Sequence, residues 1–251
     1  MWLLEELKVN YELKIYKREQ DRLAPRELKE IHPLGKSPVI GVQGPNMAKP
    51  KIIAESAVIV EFLLDHFGKS MIPKQYPIGQ EGQIGAETEE WSRYRYFMHF
   101  AEGSVMPYLL ISVVMRREPL PHAFDQAIAN SRADIRNASV PFFIRPITRS
   151  IADRVDNGFL NKNIKTTFDF LEEQLATSPQ NGDFFCGPNL TGADIMMIFP
   201  LEAGQKRAGI SAEKYPKLSA YIDRIHARDA YQRGIMKIEE ATGEKFETAL
   251  D

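Results

Sequence analysis

The chain has 251 residues, 43% hydrophobic and 26% charged, which are the proportions of a soluble protein with one large or two medium domains. A formal net charge of −2 gives no reason to expect nucleic acid as a partner, and the longest apolar stretches fall far short of a membrane span. The single cysteine, Cys186, excludes an internal disulfide and a cysteine metal cluster; His32, His66, His99, His122 and His226 are scattered without ligand spacing, so no metal is expected.

Residues 1–8 read as the end of an amphipathic helix. Leu3, Leu4 and Leu7 fall on one face, and Glu5, Glu6 and Lys8 on the rest. Those charges argue against a secretory leader, and a reducing, cytoplasmic setting is expected. Residues 9–16 alternate, with Val9, Tyr11, Leu13 and Ile15 on one side, and predict a half-buried strand. Pro25 opens a short helix through Ile31. A strand is predicted over residues 37–42, a turn at Gly44-Pro45-Asn46, and a second strand over residues 51–54. The helix over residues 57–67 is expected to face Val58, Phe62 and Leu63 inward.

Two stretches in this half carry chemistry. In His32-Pro-Leu-Gly-Lys-Ser-Pro-Val-Ile40, Pro38 stands at the first position of a strand, and Ser-Pro is one of the few bonds that can be cis at modest cost. A cis bond would turn the backbone of Ser37 outward, free to pair with an extended peptide. In Lys51-Ile-Ile-Ala-Glu-Ser56, Glu55 and Ser56 mark a strand-to-helix junction. A serine at a helix start offers its hydroxyl and free N–H groups to a carboxylate, and the adjacent Glu55 could hold an ammonium. One site would grip both charged ends of an amino acid and a neighbouring peptide bond.

Gly- and Pro-rich sequence then breaks regular structure, and residues 71–86 read as a linker between a domain over residues 1–70 and a helical domain over residues 87–251. Residues 87–115 predict one long helix, kinked at Pro107, with Trp91, Tyr94, Met98 and Ala101 at helical spacing. Most of its aromatics read as core; Tyr94, Phe97, His99 and Met106 are the candidates for an apolar pocket. Residues 116–157 are mixed, interrupted by Pro119, Pro121, Pro141 and Pro146, with an apolar knot at Phe142, Phe143 and Ile144 and solvated Arg145 and Arg149. A helix over residues 159–175 carries Ile164, Phe168, Leu171 and Leu175 on one stripe. Leu190-Thr-Gly-Ala-Asp-Ile195 predicts a capping box between Thr191 and Asp194, with Leu190 and Ile195 as its staple. The helix behind it is apolar nearly all round, so its start is buried and Asp194 is structural. Helices over residues 217–228 and 230–238 close the chain.

The ordered set Lys17-Arg18, Ala24-Pro-Arg-Glu-Leu-Lys29, Ile31-His-Pro-Leu-Gly-Lys-Ser-Pro38, Ile53-Ala-Glu-Ser56, Ala101-Glu-Gly-Ser104 and Leu190-Thr-Gly-Ala-Asp194 resembles the glutathione transferase family, in its fungal branch, over residues 2 to 235. The resemblance implies an α+β fold: a thioredoxin-like N-terminal domain, lacking its first strand, followed by the all-α C-terminal domain of the family. It also implies a two-fold dimer and conjugation of glutathione, as co-substrate, to small apolar electrophiles, or else a non-catalytic binding or adaptor protein. By resemblance the backbone of Ser37 would pair with the cysteinyl backbone of glutathione, in a geometry set by Pro38. Glu55 and Ser56 would hold its γ-glutamyl end, Lys36 would lie close by, and Lys17 and Arg18 are candidates for its glycine carboxylate. The family's catalytic residue follows a strand that precedes the opening helix. It is therefore expected upstream of Met1, on roughly 15–20 residues, and no catalytic residue is named.

Overall fold

The computed structural model describes residues 1–17, 24–115, 150 and 153–246, and helices dominate it. Helix α1 spans Trp2–Glu6 and α2 spans Arg26–Ile31, with Pro25 just before its first turn. Strands β1 (Val39–Val42) and β2 (Lys51–Ala54) pair antiparallel, Val39 opposite Ala54 and Val42 opposite Lys51. Helix α3 spans Ser56–Phe67. Gly79, Gly82 and Gly85 all take left-handed φ angles in the irregular stretch that follows, as successive tight turns require.

Thr88 caps α4 (Glu89–Phe100) by accepting from the Trp91 N–H at 3.2 Å. A π-helical stretch, Ala101–Val105, joins it to α5 (Met106–Met115). The sequence predicts a kink at Pro107; the interruption instead widens the turn just before the proline. Pro107 cannot donate to the helix, and its ring would press on the carbonyl one turn back, so a wider turn relieves both. Helices α6 (Asn161–Ala176), α7 (Gly192–Ala208), α8 (Pro216–His226) and α9 (Asp229–Thr242) complete the fold. Their buried stripes and those of α3 and α4 form one core. The predicted stripe Ile164, Phe168, Leu171 and Leu175 is buried as expected.

Helix α7 runs through the centre of that core. Gly192 allows its start to approach α3: a Cβ there would lie 2.5 Å from Leu64 Cδ1. The Thr191–Asp194 capping box is present. Fully buried Asp194 accepts from the Thr191 N–H (2.8 Å) and hydroxyl (3.0 Å), the Phe185 N–H (3.2 Å) and the Tyr221 hydroxyl (3.1 Å). Burial pushes its carboxyl up to about 6 against the pull of those donors.

Three expectations need correction. The strand over residues 9–16 does not form. Leu13 and Ile15 are exposed, and no strand lies alongside among the described residues; alternation without a ladder partner does not hold a strand. Val58 is 48% exposed, because the inward stripe of α3 is Ile59, Val60, Leu63 and Leu64. The aromatics of α4 are mostly core as expected, with Tyr96 an exposed ring. The polar face of α1 is not solvated. Glu6 takes a bidentate pair from Arg228 (2.6 and 3.0 Å), and Glu5 pairs with Arg233 (3.1 Å) and Lys237 (2.5 Å) and accepts from the Tyr11 hydroxyl (2.6 Å). Trp2 packs edge-on to Tyr231 at 5.6 Å. The chain's first helix is thus clamped to its last. The predicted elements among residues 116–149 lie outside the described residues.

Candidate functional site

The site is built where β1, β2 and α3 meet. The Ser37–Pro38 bond is cis and β1 starts immediately after it. Lys36, Ser37 and Pro38 are exposed at this corner. Across from them β2 ends at Ala54 and the chain turns sharply into α3. Glu55 makes that turn at φ 73°, a conformation that costs a non-glycine residue roughly 1–3 kcal/mol and that clusters at ligand sites. Its carbonyl accepts the first helical bond, from the Ile59 N–H at 2.9 Å. No side chain caps the helix start, so the first-turn N–H groups and the Ser56 hydroxyl are left for an anion.

These groups border a cavity of about 710 Å³. Lys36, Ser37, Pro38, Glu55 and Ser56 all line it, joined by His32 and Glu102. Glu102 lies in the π-helical stretch; burial first, and then the charge of Glu55, raise its carboxyl above the usual range. A carboxyl raised by a neighbouring carboxylate favours a cation close to it. The remaining walls are apolar: Leu3, Leu63, Ile195, Phe199, Ile235 and Ile238 face the space. Glu202 and Tyr231 interrupt them on the side formed by α7 and α9.

The structure therefore brings together five of the residues singled out in the sequence and separates the others. Lys17 is exposed and does not border the cavity. Arg18 lies outside the described residues. Tyr94, Phe97, His99 and Met106, expected around an apolar pocket, do not line this cavity. Tyr94 and Phe97 are buried because α4 turns its apolar stripe onto α7, with Phe97 packed on Phe185 at 4.6 Å, and Met106 is buried at the start of α5. His99 is on the exposed side of α4. The apolar wall comes from α1, α3, α7 and α9 instead. Glu102 carried a signal in Ala101-Glu-Gly-Ser104, close before Pro107; Glu202 and Tyr231 had none, because each sits in an ordinary helical pattern. Among the described residues no group of three or more His, Cys, Asp or Glu side chains is placed to hold a metal ion.

Comparison with known proteins is consistent along the chain. Residues 1–65 match the model of the glutathione S-transferase N-terminal domain, and residues 133–232 that of a glutathione S-transferase C-terminal domain. Glutathione S-transferase 1 of Saccharomyces cerevisiae is 30% identical over 92% of this chain and 86% of its own. Glutathione S-transferase 3 of Schizosaccharomyces pombe is 29% identical over 96% and 84% respectively. Among solved structures, a glutathione S-transferase from Actinobacillus pleuropneumoniae superposes with a TM-score of 0.60 at 26% identity, covering 98% of this chain and 88% of that one. The glutathione transferase URE2P6 of Phanerochaete chrysosporium, solved with oxidized glutathione, shares the fold at a TM-score of 0.62 and 17% identity, covering 96% and 90%. With a thioredoxin-like N-terminal half, a helical C-terminal half and a relative of this identity across most of its length, the chain belongs to the glutathione S-transferase family.

Proposed function

We propose that this protein is a glutathione-dependent transferase that joins the glutathione sulfur to small apolar electrophiles. The observation that carries the reading is the convergence of Lys36, Ser37, Pro38, Glu55 and Ser56 at one end of a cavity whose other walls are apolar. A tripeptide with a γ-glutamyl head offers a carboxylate, an ammonium and an internal peptide bond, and each has a counterpart here. The carboxylate suits the Ser56 hydroxyl and the free N–H groups of α3. The ammonium suits Glu55 and Glu102. The cysteinyl backbone suits the main chain of Ser37, and Lys36 adds a cation close by.

Bound in this way the tripeptide would present its sulfur to the apolar walls, where a second substrate gathers. A thiol with a pKa near 8.5 is mostly protonated at neutral pH, so the reaction requires a donor that stabilises the thiolate. We assign that donor to no residue described here. The thiolate attacks an electrophilic carbon, a C–S bond forms, and the leaving group departs with its electron pair. Holding both reactants in one cavity replaces a bimolecular encounter with an oriented one.

The reading includes two domains, over residues 1–70 and 87–251 with residues 71–86 between them, a cytoplasmic setting and a two-fold dimer. Turnover of an electrophilic chromophore in the presence of glutathione tests it. Conjugation above the uncatalysed rate is expected; retention on immobilised glutathione without turnover would reduce the protein to a binder, and the absence of both would overturn the reading.

A further inference from the structure

The apolar side of the cavity contains one acid that the glutathione reading does not use. The Glu202 side chain is 7% exposed and lines the cavity from α7. Two donors meet it, and both reach the same oxygen, Oε1: His226 Nε2 from α8 at 2.6 Å, and the Tyr231 hydroxyl from α9. Tyr231 lines the cavity as well, while His226 approaches from behind and does not. Burial, and then the hydrogen bond to Glu202, raise the Tyr231 phenol, which keeps it a donor to that oxygen. Among the described residues no donor is placed on Oε2.

A carboxylate this far from solvent is fully satisfied only with donors on both oxygens, and His226 and Tyr231 share the one. Tyr231 stacks on His226 at 4.9 Å and meets Trp2 edge-on, and Trp2 and Phe199 line the cavity too. Aromatic rings around a buried carboxylate form an environment that attracts a cation and disfavours a second anion. The flanking Ile198, Ile235 and Ile238 offer nothing polar to a ligand.

From this arrangement we propose that Glu202, with Tyr231 and Trp2, forms a subsite for a ligand with an apolar body and a single ammonium group, its N–H donating to Glu202 Oε2. The ligand's role as second substrate rests on the transferase reading; its binding does not. The cation completes the hydrogen bonding of Glu202, and the apolar body fills the space between α3, α7 and α9. Neutral relatives of the same shape keep the apolar contacts and lose the charged one; anionic relatives are repelled by Glu202.

The probes are 1-naphthylmethylamine, the neutral 1-naphthalenemethanol and 1-naphthaleneacetate, titrated without glutathione by calorimetry. The amine should bind about ten- to a hundredfold more tightly than the alcohol, the range of one charge-assisted hydrogen bond. Glu202→Gln keeps an acceptor for His226 and Tyr231, and should lose the preference for the amine. Glu202→Asp, which keeps the charge, should retain part of it and serves if the glutamine variant does not fold. Equal binding of amine and alcohol to the wild-type protein, or an undiminished preference in folded Glu202→Gln, would overturn the subsite. Amine binding that needs Glu202, in a protein that shows no glutathione binding, would uphold the subsite and remove the transferase reading.

Discussion

Replacing Asp194 with alanine tests how the helical half is held together. The carboxylate is fully buried and serves four donors on three elements: Thr191 through its N–H and hydroxyl, Phe185 through its N–H, and Tyr221 through its phenol. The Thr191 hydroxyl can rotate to another acceptor. The other three donors are left unpaired, and Phe185 and Tyr221 are themselves fully buried. An orphaned buried donor costs about 1–3 kcal/mol, so the gross loss for three is about 3–9 kcal/mol. Alanine also relieves the burial of the carboxyl, the same cost that pushes it up to about 6, so the net loss falls at the lower end, about 3 kcal/mol. Guanidinium unfolding at neutral pH, followed by circular dichroism, reads this as a lower midpoint with an unchanged slope. Tyr221→Phe removes one donor and leaves the acceptor in place, so it should cost about 1 kcal/mol. If Asp194→Ala unfolds at the wild-type midpoint, or Tyr221→Phe costs as much as Asp194→Ala, the carboxylate is not the hub described.

The clamp between α1 and α9 predicts acid sensitivity: hydrogen bonds from Lys237 and then Tyr11 hold the Glu5 carboxyl at about 2, below its ordinary 4.5. Its folded-state value is depressed, so its contribution is complete above the ordinary value and is lost as the pH falls towards about 2. Melting curves from about pH 5 to about pH 3 should drop less steeply for Glu5→Gln than for wild type, and parallel curves would show that the clamp is idle. Gly192→Ala places a methyl 2.5 Å from Leu64 Cδ1 and 3.1 Å from Val60 Cγ1, and should destabilise by about 1–3 kcal/mol in calorimetric melting. An unchanged melt would mean that α3 and α7 part without cost. Tyr96 on α4 and Val58 on α3 are exposed apolar side chains; if the proposed two-fold dimer covers the Tyr96 ring, light scattering should give twice the monomer mass and Tyr96→Glu should shift it towards the monomer. A wild-type monomer would contradict the dimer.

Readings that rested on local covalent or hydrogen-bonding logic carried over to the structure. The Ser-Pro pair before a strand is cis, the Glu55–Ser56 junction is the start of α3, and the Thr191–Asp194 spacing is a capping box, because each depends on a few neighbouring residues. Readings that depended on what lies across the fold did not. Residues 9–16 alternate as a strand should, yet a strand needs a ladder that its own sequence cannot supply. The charges of α1 look solvated in isolation and are instead clamped by Arg228, Arg233 and Lys237, more than two hundred residues away in sequence. Tyr94 and Phe97 have the spacing of either a core stripe or a pocket wall, and only the packing of α4 on α7 decides between them. Glu202 lies in an unremarkable helical pattern; its distinction is that two donors share one of its oxygens.

The central claim is that the γ-glutamyl end of glutathione is held where β2 turns into α3. Calorimetric titration of glutathione into the wild-type protein and into Ser56→Ala tests it most directly. Binding by the wild type is expected, weakened in the variant by about 1–3 kcal/mol, the range for removing a partner from a charged group. A wild-type protein that takes up no glutathione, or a variant that binds it with undiminished affinity, would contradict the assignment.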